Sequence, residues 1–168
     1  MADIRVLVTV ASKHGGSDGI GDAIAGTLRN AGLIVDVVAP KALFDIEPYD
    51  AVVGGSAVYV GRWLEPARAF VIRHSAALLR RPVWLFSSGP LGQVPGPVES
   101  ATDVPKLLEL SGAREHRIFA GRLDPSALGI GERTIVRVVK APCGDFRNWD
   151  EIGAWAHSIA EAIAAPVA

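Results

Sequence analysis

The sequence predicts a single α/β domain over residues 1–168, in which helices cover both faces of a parallel β-sheet. Short β-branched apolar runs alternate five times with segments whose apolar residues have helical spacing. With 49% apolar residues and a net charge of −1, the composition fits a compact soluble protein and argues against nucleic-acid binding. For five such strands we expect a three-layer α/β/α sandwich with the strand order 2-1-3-4-5.

The first strand and the first helix enclose a loop rich in glycine and hydroxyl groups. Residues 6–11 are the predicted strand, and apolar residues repeat with helical spacing from Ile20 to Ala31. We expect Ser17 or Asp18 to cap this helix and Gly32 to end it. The loop at 12–17 then presents backbone N–H groups and the positive end of a helix dipole, an arrangement that suits a phosphate group. A plain strand-to-helix turn is the alternative.

Two common nucleotide motifs do not fit this loop. Its glycines, at positions 15, 16, 19 and 21, lack the spacing of a dinucleotide-binding turn. Gly16 and Gly21 have the spacing of a P-loop, but Asp22 follows them where a lysine is required.

The remaining elements follow from the same two periodicities and from local end signals. Strands are predicted at 33–38, 49–57, 82–88 and 117–123, and helices at 62–81, 104–110, 127–139 and from 148 onward. Asp103 and Asn148 are the expected helix caps, and the pair Gly54-Gly55 indicates close approach to the third strand. We expect the three tryptophans on these patterns to pack in the core: Trp84, Trp149 and Trp155.

Three loops with unusual chemistry are expected at one edge of this sheet. They are residues 12–17, 56–63 and 88–97, each after the carboxyl end of a strand. In the expected strand order, the switch point lies between the first and third strands, where ligands of such sheets bind.

The first loop matches a known phosphate-binding pattern, Thr/Ser-x-Thr-Gly-x-Thr/Ser. Ser12, Gly15 and Ser17 occupy its hydroxyl, glycine and final hydroxyl positions, whereas His14 replaces the middle threonine. On these residues the chain resembles flavodoxin-like FMN proteins. Within that group it is most similar to the menaquinone-dependent protoporphyrinogen IX dehydrogenase family, through residues 12–15, 49–61, 70–74, 132–140 and 148–150.

The resemblance implies an FMN cofactor and assigns residues to it. The phosphate is expected on the first loop: Ser12, Lys13, His14, Gly15, Gly16 and Ser17. The flavin ring is expected between two further groups: Ser56, Ala57, Val58, Tyr59, Val60 and Gly61, then Ser88, Gly89, Pro90, Leu91 and Gly92. Tyr59 or Trp63 can stack on the ring, with plain packing as the alternative for each. No side chain is predicted to act as an acid or base, and no metal site is predicted.

The implied function is an FMN-dependent oxidoreductase that passes electrons from a reduced substrate to a quinone. A non-catalytic electron-transfer protein is one alternative. A flavodoxin-fold binding module without a cofactor is the other, motivated by His14. The charge of −1 lacks the strongly acidic character that steers flavodoxin shuttles to basic partners.

Location is inferred from cysteine usage and from one amphipathic segment. The single cysteine, Cys143, excludes an internal disulfide, and no signal peptide precedes the first strand, so we expect a cytoplasmic protein. Arg133, Arg137 and Lys140 share one face of a predicted helix. This face suits peripheral contact with an anionic membrane where a quinone is found, and a solvated helix edge is the alternative.

Overall fold

The computed structural model describes residues 3–13, 15–89, 101–123, 144–145 and 147–165. In this part of the chain the strands are β1 (Arg5–Ala11), β2 (Ile34–Val37), β3 (Ala51–Tyr59), β4 (Arg62–Trp63), β5 (Val83–Ser88), β6 (Glu115–Phe119), β7 (Arg122–Leu123) and β8 (Gly144–Asp145). The helices are α1 (Gly16–Asn30), α2 (Glu65–Arg73), α3 (Ser75–Leu78), α4 (Val104–Ser111) and α5 (Trp149–Ala164), with a 3-10 turn at Pro40–Ala42.

The sheet has the predicted topology. Its parallel strands lie in the order β2-β1-β3-β5-β6, which is 2-1-3-4-5 when the five parallel strands are counted alone. The short β4 is added antiparallel to β3, and β7 pairs with β8 in a separate two-stranded ribbon. Ala11 lies opposite Ser56, and Ala57 lies opposite Ser88, so β1, β3 and β5 end at the same edge.

Alternate side chains of the buried strands supply two apolar layers. On one face, Val8 and Phe86 pack against Ile24 of α1 and Trp155 of α5. On the other, side chains such as Leu7 and Leu85 pack against α2, α3 and α4. Because both faces are covered, the central strands read as continuous apolar runs rather than as alternating ones.

The predicted core positions of two of the three tryptophans are confirmed. Trp84 is 2% exposed and Trp155 is 3% exposed. The prediction for Trp149 is wrong, since this side chain is 46% exposed. Trp149 is the first residue of α5, ahead of the turns that reach the sheet, and its ring stacks under the Arg147 guanidinium at 4.5 Å.

Of the two predicted ends of α1, the C-terminal one is confirmed and the N-terminal one is wrong. Gly32, with φ 93°, follows the helix as predicted. Neither Ser17 nor Asp18 caps its start, however, because the helix already begins at Gly16. Gly15 has a left-handed φ of 82° and donates its N–H to Ser12 Oγ at 3.0 Å, so the chain turns into the helix earlier than the polar residues indicate.

Other boundaries differ where tertiary contacts override local signals. The helix predicted at 62–81 starts at Glu65 and is divided at His74, because Arg62 and Trp63 form β4 instead. The Asp103 carboxylate does not cap α4 but accepts the Trp63 N–H at 3.2 Å. Asn148 does cap α5, accepting the Glu151 N–H at 3.1 Å. The strand predicted at 117–123 is β6 followed by the start of the ribbon.

The glycine pair of β3 accommodates side chains of the neighbouring strand. A side chain at Gly55 would overlap the ring of Phe86, and one at Gly54 would meet Leu85 at 3.0 Å. The close approach inferred from the sequence is therefore real, and it comes from the core of the sheet.

Two expectations about the C-terminal region lie outside the described residues. They are the helix at 127–139, with Arg133, Arg137 and Lys140, and the loop residue Cys143. Over the residues that are described, none of the helices is long and apolar enough to cross a bilayer.

Candidate functional site

The starts of the three predicted loops meet at the carboxyl edge of the sheet. The Lys13 ammonium lies 3.7 Å from the centroid of the Tyr59 ring, which joins the first loop to the second. A Cβ atom at Gly89 would lie 3.9 Å from the Val58 carbonyl oxygen, which brings the start of the third loop beside the second. This edge is the switch point between β1 and β3.

The first loop leads directly into the N-terminus of α1. Because α1 begins at Gly16, the N–H groups of Gly16, Ser17 and Asp18 have no acceptor within the helix. Ser17 is a buried residue of this first turn, at 2% exposure. Such a turn binds anions through N–H groups and the helix dipole. His14, a predicted phosphate-loop residue, lies outside the described residues.

The second loop is a tight hairpin rather than an open loop. Ala57, Val58 and Tyr59 still belong to β3, and β4 returns antiparallel beside them. Val60 and Gly61 form the two-residue turn, with φ values of 51° and 70°. Positive φ at both positions is the hallmark of a type I′ turn, which normally selects Asn or Gly rather than a β-branched residue. Val60 is 80% exposed at its tip.

Two predicted site residues lie beneath this hairpin and hold it in place. The Ser56 hydroxyl is buried, donating to the Ala57 carbonyl at 2.8 Å and accepting the Leu64 N–H at 2.9 Å. The Trp63 indole is 3% exposed and donates Nε1–H to Ser87 Oγ at 2.8 Å. Packing therefore accounts for Trp63, and Tyr59 is the aromatic residue left at the loop surface.

The third loop is described only at its beginning. Ser88 is 6% exposed, and Gly89 has φ 104° while donating its N–H to the Phe119 carbonyl at 2.8 Å. Pro90, Leu91 and Gly92, the other predicted ring-flanking residues, lie outside the described residues.

Sequence reasoning missed one charged residue beside the first loop. Arg147 Nη1 lies 3.4 Å from the Gly16 carbonyl oxygen, a contact between residues 131 positions apart. Its other nitrogens bind Asp145 at 2.8 Å and 2.6 Å, and this hydrogen bonding raises the pKa of Arg147. No sequence motif predicts this contact, because it forms only when the segment before α5 packs against α1.

Acidic groups also border the first loop. Burial, and then the neighbouring Asp22 charge, raises the pKa of Asp18 in the first turn of α1.

A hydrogen-bonded pair of polar side chains lies under the site, where Ser87 Oγ is 2.8 Å from His116 Nε2. Burial lowers the pKa of His116, so the neutral ring is favoured, and Ser87 at 1% exposure is inaccessible to a substrate. Within the described ranges there is no cluster of three or more His, Cys, Asp or Glu residues that could hold a metal.

Solved structures share this fold at low sequence identity. Rubredoxin oxygen:oxidoreductase from Desulfovibrio gigas superposes with a TM-score of 0.63 and 15% identity, over 96% of this chain and 37% of that one. The chain thus spans about a third of that enzyme's length. A flavodoxin from the domain Archaea gives a TM-score of 0.62 and 15% identity, over 95% of this chain and 99% of that one. Flavodoxin 1 from Bacillus cereus gives a TM-score of 0.62 and 13% identity, over 96% of this chain and 99% of that one.

Sequence comparison identifies the family directly. No curated protein matches the chain at a significant level. The sequence model of the flavodoxin domain matches residues 7–149, from β1 to the start of α5. The chain therefore belongs to the flavodoxin-domain family, and the cofactor that this domain supports is FMN.

Proposed function

We propose that the chain binds FMN at the carboxyl ends of β1, β3 and β5 and works as an oxidoreductase. In this proposal it transfers electrons from a reduced substrate, protoporphyrinogen IX in the first instance, to a quinone. The observation that carries it is the 3.7 Å contact of Lys13 with the Tyr59 ring, which joins the phosphate loop to the ring loop in a flavodoxin-domain chain. A redox partner protein is the alternative electron acceptor.

The residues of the first loop fit the phosphate of FMN. Three N–H groups at the start of α1 lack helical acceptors, and Gly15 provides the left-handed turn that precedes them. Lys13 and Arg147 bring positive charge to the same end of the helix. In this role the chain's own residues bind and orient the phosphate, and they take no part in electron transfer.

The residues of the second loop fit one face of a flavin. Tyr59 is half-buried at the end of β3, and its ring, with the Lys13 ammonium over one face, is an aromatic surface of the kind on which a flavin stacks. Bound FMN supplies the redox chemistry, accepting and releasing electrons together with a proton at its N5 atom. The backbone groups of the hairpin and the Gly89 carbonyl are the groups that would tune the flavin electrostatically.

The charge of the chain favours an enzyme over a freely diffusing shuttle. A net charge of −1 gives no strong field to steer a basic protein partner. The likeness to protoporphyrinogen IX dehydrogenases in residues 49–61 includes the whole hairpin strand and turn. These two points support the enzyme reading, with a quinone as the small-molecule acceptor.

The test is anaerobic turnover of protoporphyrinogen IX by FMN-loaded protein with a menaquinone analogue, followed by porphyrin fluorescence. We expect turnover in the wild type and a clear loss in Tyr59→Leu, because the flavin loses its stacking partner. Phe44→Leu is the matched control, since Phe44 is an aromatic residue that is 89% exposed and belongs to none of the three loops. Absence of turnover, together with a stabilised semiquinone during stepwise reduction, would instead establish an electron shuttle.

A further inference from the structure

The segment that precedes α5 lies against the first turn of α1. Arg147 makes this contact through Nη1, which is 3.4 Å from the Gly16 carbonyl oxygen. Its side chain is only 10% exposed, because the Asp145 carboxylate binds it on one side and the Trp149 ring lies 4.5 Å away on another. A guanidinium so enclosed has a fixed position relative to the helix.

Gly19 provides the space for this guanidinium. A Cβ atom at position 19 would lie 2.5 Å from Arg147 Nη1 and 3.7 Å from the Trp149 ring. Any other residue at this position would have to displace the Arg147 side chain. In contrast, a Cβ atom at Gly26, two turns further along α1, would meet nothing within 4 Å.

A cation at this end of a helix is unfavourable unless an anion is also present. The N-terminus of α1 carries the positive end of the helix dipole, which repels a guanidinium and attracts a phosphate. Asp145 offsets part of that repulsion through its paired hydrogen bonds with Arg147. The same arrangement gains stability when a dianion binds to the first turn, since the guanidinium then attracts it.

The Gly16 carbonyl and the Ser17 N–H belong to one peptide unit. A hydrogen bond from Arg147 to that carbonyl polarises the peptide and makes its N–H a stronger donor. A phosphate oxygen bound to the Ser17 N–H would lie roughly 8 Å or less from the guanidinium, about one Debye length at physiological ionic strength. Both effects act most strongly on a charged acceptor such as a phosphate, and the attraction by the guanidinium charge is lost for an uncharged ligand.

We propose that Arg147 is the positioning residue for phosphate recognition at the N-terminus of α1, and that it discriminates FMN from unphosphorylated riboflavin. This inference rests on the proposed FMN binding. Arg147 acts through its charge and through the Gly16 carbonyl, while the loop N–H groups hold the phosphate itself.

The experiment measures dissociation constants of FMN and of riboflavin for the wild type, Arg147→Met, Arg147→Lys and Asp145→Asn. The ratio of the riboflavin constant to the FMN constant isolates the contribution of the phosphate. We expect Arg147→Met to lower this ratio about tenfold, and Arg147→Lys to retain most of it because the charge remains. Asp145→Asn raises the ratio, since the guanidinium loses its competing carboxylate.

A purely structural role for Arg147 gives different results. In that case Arg147→Met weakens both flavins by the same factor, and Asp145→Asn also weakens both, which would overturn the inference while leaving FMN binding intact. Gly19→Ala tests the geometry with the charge retained, and we expect a lowered ratio, whereas Gly26→Ala on the same helix leaves it unchanged. If the wild type binds neither flavin, the proposed function fails, and this inference fails with it.

Discussion

Val60 carries backbone strain at the tip of the hairpin formed by β3 and β4, part of the proposed flavin site. Among the described residues it is the one non-glycine residue with a positive φ, at 51°. A β-branched side chain is disfavoured there by its contacts with the backbone, and no packing compensates because Val60 is 80% exposed. Strain of this kind is typical of binding sites, where the surrounding structure imposes it.

Val60→Asn is therefore expected to raise the free energy of unfolding by about 1 kcal/mol, since asparagine tolerates the left-handed region. Urea denaturation measures this change. Val37→Asn is the control, because Val37 is also an exposed valine but lies in the ordinary strand geometry of β2, and its replacement should not stabilise the protein. Equal effects of the two substitutions would show that Val60 stores no strain.

His74 is a buried histidine whose ionisation opposes folding. Burial is the main cause of its lowered pKa, and its Nε2 atom has no hydrogen-bond partner among the described residues. The Arg73 charge acts in the same direction, whereas a hydrogen bond with the Leu43 backbone and the Asp45 charge oppose it, and the Phe70 ring lies 5.1 Å away. The unfolded chain thus takes up a proton at this site at a higher pH than the folded chain does.

The free energy of unfolding should consequently fall as the pH drops below about 6.5, the ordinary pKa of histidine. His74→Leu should reduce this dependence, as measured by urea denaturation between pH 8 and pH 5. Phe70→Leu disturbs the same cluster without removing a titrating group, so it should lower stability by a similar amount at every pH. A His74→Leu curve parallel to the wild type would contradict the assignment.

At the scale of elements, sequence signals predicted ends that are fixed by local chemistry and missed those fixed by distant contacts. Asn148 was identifiable because a cap and its N3 residue are neighbours in the chain. The extension of β3 to Tyr59 was not, since valine at position 60 gives no turn signal. The buried position of Trp63 depends on Ser87, a partner 24 residues away.

Replacing Gly55 of β3 and Gly26 of α1 by alanine should change the stability in opposite directions. Gly55→Ala should lower the free energy of unfolding by roughly 1–3 kcal/mol, because the added methyl group overlaps the Phe86 ring in the middle of the sheet. Gly26→Ala should raise it by up to about 1 kcal/mol, since alanine favours a helix and nothing lies within 4 Å of its Cβ position. Thermal unfolding compares both with the wild type. Stabilisation by both substitutions would contradict the tight packing between β3 and β5.

At the scale of the whole molecule, the strand order and the switch point were predictable because apolar residues distinguish strands from helices along the chain, and their alternation indicates a parallel sheet. The meeting of the starts of the three loops at one edge followed from that order alone. The part of the site that escaped prediction is Arg147, whose partner Gly16 is 131 residues away and whose contact requires Gly19 to lack a side chain. No local pattern encodes such a fit.

Titration of the purified protein with FMN, followed by quenching of flavin fluorescence, tests the central claim most directly. We expect saturable quenching with submicromolar affinity in the wild type and at least a tenfold loss in Gly15→Ala, which strains the phosphate loop. Gly32→Ala carries a similar backbone cost, with φ 93° at the opposite end of α1, and should bind FMN as the wild type does. No quenching in the wild type, or equal losses in the two variants, would contradict an FMN site at the start of α1.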